Sequence, residues 1–268
     1  MTPSPLVLPK PSTTQLGHAP LQLVVCQVRH DRVDGVQHGD QVLAIRDALS
    51  AVMGEELGLE QLAQQEVSFQ FGPAGVAPLK GDTPSNGWRL RSRDGKWIVA
   101  LFADFFALES TGYTSWTDFS NRLEVLCAAI ERTFKPALEQ RIGLRYVDNV
   151  TRPEVANPGD WAGYIEDSLL GPVLHPSFGT AVAGVQQVIQ MAAPEGMQVL
   201  LRHGTQFDES LGSWPYVLDT DCSRTASRRF NASTLLNSAR DLHELALQVF
   251  QASATPALLK DLAGESKN

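Results

Sequence analysis

Cysteine is scarce in this sequence: three in 268 residues, Cys26, Cys127 and Cys222, widely spaced and set in apolar or β-branched stretches. The odd number and the lack of any C-x-x-C pair argue against a disulfide framework or a zinc site, and fit buried thiols in a reducing compartment. Excess positive charge is also lacking. The net charge is -8 with a pI near 5.2, and each half of the chain, divided after residue 134, holds 11 basic and 15 acidic side chains. General DNA binding needs a concentrated positive surface and is not expected. No apolar run reaches the ~20 residues of a membrane span, and the opening MTPSPLVLPKPSTTQLGHAP is too rich in proline for a signal peptide, so a cytoplasmic location is expected. There is no G-x-S-x-G, no P-loop, no G-x-G-x-x-G after a strand and no H-x-x-x-H spacing among the six histidines. The residues therefore nominate no catalytic group, no metal ligand set and no cofactor.

What is present is a 43% apolar composition, enough to bury a core. Residues 1–18 read as an extended or mobile Pro/Ser/Thr-rich arm. A strand follows at about 21–30 and a helix at about 40–54. Three strand candidates come next, EVSFQFG, WRLRSRD and WIVALFADFFALES, the last two joined by the hairpin signal RDGK. SWTDFSNRLEVLCAAIERTF is a helix with Ser115 or Thr117 as cap and Phe119, Leu123, Leu126 and Ile130 at helical spacing, stopped at Pro136. The series then recurs: a strand at 140–150, helix GDWAGYIEDSLL, strands AVAGVQQVIQMA, GMQVLLRHG and WPYVLDTDCSRTA, and helix STLLNSARDLHELALQVFQASA.

The expected fold class is thus α+β: two fused β-α-β-β-β-α modules, at 19–137 and 138–262, with a tail at 263–268. Each has an antiparallel sheet with helices on one face, the pair related by a pseudo-twofold duplication. Aligning VVCQVRHD with QRIGLRYVD sets Arg29 on Arg145 and His30 on Tyr146.

The blocks RIGLRY (Arg141, Gly143, Leu144, Arg145, Tyr146), YTSWTDF and LDTD (Leu218, Asp219, Asp221) resemble the signature blocks of a sporadically distributed family of uncharacterised bacterial and archaeal proteins of about this length. The resemblance spans about 18–252, with Thr220 less aliphatic than the pattern, and it carries over no catalytic residues. Sporadic occurrence suggests a defence or toxin-antitoxin type system. The element order is also similar to duplicated saddle folds of the TATA-binding-protein type and to duplicated effector-binding modules, which use a sheet face to hold DNA, peptide or a small molecule.

Strand alternation puts Arg141 and Arg145 on one face, roughly 13 Å apart, and Asp219 and Asp221 on one face of theirs. Two readings follow. The four charges pair across strands and fix register, or Arg29, Arg141, Arg145, Tyr146, Asp219 and Asp221 form a surface that grips a protein partner or a small anionic ligand. Carboxylates also suit Mg²⁺, but no third one is grouped with Asp219 and Asp221. Arg89, Arg91 and Arg93, and Arg224, Arg228 and Arg229, read as charged solvent faces. The leading expectation is a non-enzymatic binding protein. The alternatives are a nucleotide- or nucleic-acid-acting enzyme or sensor on the Arg/Asp face, and a self-associating structural protein.

Overall fold

The described residues include eleven strands. A computed structural model describes residues 4–14, 16–62, 66–72, 75–81 and 87–264. Nine strands form one sheet in the order β2-β5-β6-β7-β1-β8-β11-β10-β9, and the other two, β3 (Glu66–Gly72) and β4 (Gly75–Gly81), pair only with each other. The large sheet comprises β1 (Leu21–His30), β2 (Gly58–Leu62), β5 (Gly87–Arg91), β6 (Trp97–Leu101), β7 (Phe105–Ser110), β8 (Leu138–Val150), β9 (Gly184–Ala192), β10 (Met197–Gln206) and β11 (Tyr216–Arg229). The protein is a mixed α+β fold. None of the described helices is long and apolar enough to cross a membrane.

Two compact units divide the chain, and each takes segments from both halves of the sequence: 24–143 with 224–240, and 1–23 with 144–223 and 241–268. In the first of these, α1 (Gly39–Met53) buries Val42, Ile45 and Leu49 at helical spacing. The helix α2 (Trp116–Thr133) starts where expected. Ser115 caps it, its side chain accepting from the Asp118 N–H at 3.1 Å, and Phe119, Leu123, Leu126 and Ile130 are buried. The segment WIVALFADFFALES is two strands and not one. The Phe102 N–H bonds the Phe105 carbonyl at 2.8 Å, closing a tight turn that lays β7 antiparallel on β6. The strand β2, which has little of the β-branched content that marks a strand, pairs with β5.

In the other unit, GDWAGYIEDSLL is not a continuous helix. It forms a 3₁₀ turn at Pro158–Trp161 and a single turn, α3 (Asp167–Leu170). Gly163 between them has φ +90, a conformation that ends helical hydrogen bonding. Described residues of the N-terminal arm are tied to the unit: the Leu6 N–H bonds the Ala192 carbonyl at 2.7 Å, and Gln248 and Gln251 donate to the carbonyls of Pro9 and Ser12. These glutamines lie on α4 (Ala232–Ser253), whose inward face includes Leu242, Leu245 and Val249, and α5 (Pro256–Ala263) follows, capped by Thr255.

Candidate functional site

Arg145 on β8 meets Asp219 on β11 in a two-pronged ion pair, Nε to Oδ1 and Nη2 to Oδ2, each at 2.5 Å. Both residues are buried. Arg202 on β10 approaches the same carboxylate at 3.4 Å from a more exposed position. Burial pulls the Arg145 guanidinium below its ordinary value, and the bond to Asp219 opposes that shift. The pairing reading of these two charges is therefore the one the structure supports. The middle of β8 is also covered on both faces, since Ile142 through Tyr146 are buried without interruption.

Tyr146 has a different surrounding. Its hydroxyl hydrogen-bonds His243 Nδ1 on α4 at 2.8 Å, and burial holds that histidine down at about 4, so it is neutral near pH 7. Tyr146→Phe deletes one largely buried hydrogen bond and leaves Nδ1 without this partner. A loss of about 1 kcal/mol is expected, measured by denaturant unfolding. Asp221 is half-exposed and follows the buried Asp219-Thr220 pair on β11.

Arg29 and Arg141 belong to the other unit. The Arg29 side chain is half exposed, 3.8 Å from Asp104 and 5.8 Å from the centroid of the Phe105 ring. Arg141 folds back along its own strand. A Cβ at Gly143 would sit 2.6 Å from Arg141 Nη1, so the glycine between the two arginines makes room for a guanidinium. Arg224 and Arg228 do not make a simple solvent face. Both donate to the Ser238 hydroxyl on α4, and Arg228 also pairs at 2.8 Å with Glu139, a buried carboxylate.

The same unit holds a surface that the sequence reading did not assemble. Residues directly opposite one another in an antiparallel ladder carry their side chains on the same face. The registers therefore align Glu60, Arg89, Ala100, Ala107 and Gln27 in one row across five adjacent strands. A neighbouring row runs Arg91, Ile98, Glu109 and Val25, and on the other side Phe105 lies opposite Arg29. Two alanines between longer side chains leave a shallow trough, and strand spacing puts Arg89 and Gln27 roughly 14 Å apart at its ends. Along its border the partly exposed Phe105 ring stacks at 4.5 Å on Phe102, a buried ring that lies across Gly87, where a Cβ would meet it at 2.5 Å. Glu109 flanks the floor. Burial raises its carboxyl above the ordinary range, with Arg89 pulling the other way. Arg89 itself leans 3.4 Å from Glu60. Reading β6 and β7 as one strand hides the trough, because the two alanines become opposed only once the turn at Phe102 is made.

No family model matches the chain, and no curated protein matches it. Among solved structures the chain is similar to the di-domain ARO/CYC StfQ from the steffimycin biosynthetic pathway, at 11% identity over 90% of this chain and 99% of that one, with a TM-score of 0.19. It is also similar to S. pombe Pct1 RNA triphosphatase, solved in complex with the Spt5 CTD, at 8% identity over 93% of this chain and 82% of that one, with a TM-score of 0.13. Likenesses at these scores bear neither on the fold nor on function.

Proposed function

We propose that the protein is a non-enzymatic binding protein that holds a small anionic ligand carrying a flat ring in the trough over Ala100 and Ala107. The observation that carries this reading is the register that puts two alanines between Arg89 and Gln27, with Arg29 and the Phe105 ring opposite one another in the adjoining row. A ring rests on aromatic and methyl surface, and a guanidinium fork holds a carboxylate or phosphate at its edge. Arg145 and Asp219 neutralise each other and serve the frame.

Calorimetric titration with benzoate and phenyl phosphate tests the reading. Ala107→Leu fills the trough with three carbons, and binding should weaken by about tenfold, the equivalent of 1.4 kcal/mol, with the unfolding midpoint nearly unchanged. Equal affinity in Ala107→Leu and the parent chain would remove the trough from consideration.

The two-module origin belongs to the same proposal. Outward from the middle of the sheet, the strands run β1-β7-β6-β5 on one side and β8-β11-β10-β9 on the other. Each series places the first strand of a β-α-β-β-β-α module innermost and its last strand next, which supports a duplicated unit with β2 and the β3–β4 hairpin inserted in the first copy.

A further inference from the structure

The sheet ends at β9, and no strand lies beyond it among the described residues. Exposed edges are ordinarily blunted by lysine, proline, bulges or brevity. This strand is GVQQVIQMA, nine residues with neither charge nor proline. It also carries Val188, at 64% one of the most exposed large apolar residues of the chain.

The orientation of its backbone groups follows from two hydrogen bonds at its end. The Ala193 N–H donates to the Met197 carbonyl at 2.8 Å, toward β10, while the Ala192 carbonyl accepts from Leu6 at 2.7 Å on the outer side. Alternation then directs Val185, Gln187, Ile189 and Met191 toward β10, consistent with the β9–β10 register, and directs the N–H and C=O groups of Gly184, Gln186, Val188 and Gln190 outward. The arm at Leu6 limits a new strand to the segment 184–190.

We propose that this edge pairs antiparallel with the same edge of a second copy of this chain, about a twofold axis at Gln187. That register sets Gly184 opposite Gln190 and Gln186 opposite Val188, so all four outward residues of each copy donate and accept. On the alternate positions Val185 meets Ile189 and Gln187 meets its own equivalent. The segment reads apolar-polar-apolar in both directions at 185, 187 and 189, so it matches itself across a twofold, as an isologous interface requires. Each chain carries a net charge of -8, but this strand brings no charge into the interface, so self-association meets no like-charge contact there. Exposed Val188 becomes covered by Gln186 of the second copy.

Sedimentation velocity of the full chain over a concentration series gives the test. The parent chain should show a concentration-dependent dimer. Gln186→Lys with Val188→Lys sets cation against cation on both sides of the axis and should halve the sedimenting mass, with an unchanged circular-dichroism melt measured below the dimer concentration range. Gln186→Lys with Val188→Glu sets opposite charges across the same register and should restore the dimer. A monomeric parent chain at every concentration, a dimer surviving in the double-lysine variant, or a Lys/Glu variant as monomeric as the double-lysine one would each overturn the proposal.

Discussion

Arg145→Ala is expected to lower the unfolding free energy by about 3–5 kcal/mol, because it leaves a buried carboxylate without its two-pronged partner. Asp219 accepts from Nε and Nη2 of Arg145 at 2.5 Å, and both residues are buried. Arg202 lies at 3.4 Å on a side chain about one-third exposed, so it can compensate only part of the loss. Arg145→Lys should recover little, since an ammonium cannot reproduce the planar fork that meets both carboxylate oxygens. The pair of substitutions Arg145→Met and Asp219→Leu should cost less than Arg145→Ala alone, because neither charge is then left buried and unmatched. Urea denaturation of the three variants checks the order. A single alanine variant as stable as the parent chain would mean that the pair is a spectator in folding.

That Arg145 needs an opposite charge was legible in the sequence, since it stands between Leu144 and Tyr146 on a segment with strand alternation, but whether Asp219 or Asp221 supplies it was not. Which face each charge would take was less legible. Alternation separates two faces but does not say which one the helices cover, and so Tyr146 could be grouped with the arginines although its hydroxyl bonds His243 on α4. Nor does alternation reveal that both faces are covered over 142–146, which removes Arg145 from the accessible surface. The trough escaped for a local reason. From Trp97 to Leu108 the chain has no glycine or proline to mark a turn, and only the Asp104 side chain hints at one. GDWAGYIEDSLL failed the other way: its apolar spacing suits a helix, and the left-handed conformation at Gly163 prevails over it. The long helices α2 and α4 are legible because their apolar stripes, Phe119, Leu123, Leu126 and Ile130 in one and Leu242, Leu245 and Val249 in the other, run for several turns, where the period is unambiguous.

Asp148 should give the protein an unusual pH profile. It is buried on β8, and desolvation, with a smaller contribution from the neighbouring negative charge of Asp219, raises its carboxyl from the ordinary 3.8 to about 7. In the unfolded chain the group ionises near pH 4, whereas in the folded chain it keeps its proton until near pH 7. Between those values the folded state binds the extra proton, so stability falls as pH rises, and once both states are ionised the penalty is complete. The interval of about three pKa units corresponds to about 4 kcal/mol. Asp148→Asn has no proton to lose and retains a neutral group of nearly the same shape. Its stability relative to the parent chain should therefore climb by about that amount from pH 4 to pH 7 and stay level from pH 8 upward. Urea unfolding of both proteins across this range measures the difference directly, and other titrating groups cancel between the two to the extent that they do not sense residue 148. A difference that is flat with pH would show that the folded Asp148 carboxyl ionises in the ordinary range, and that water or a rearranged neighbour solvates it despite its burial.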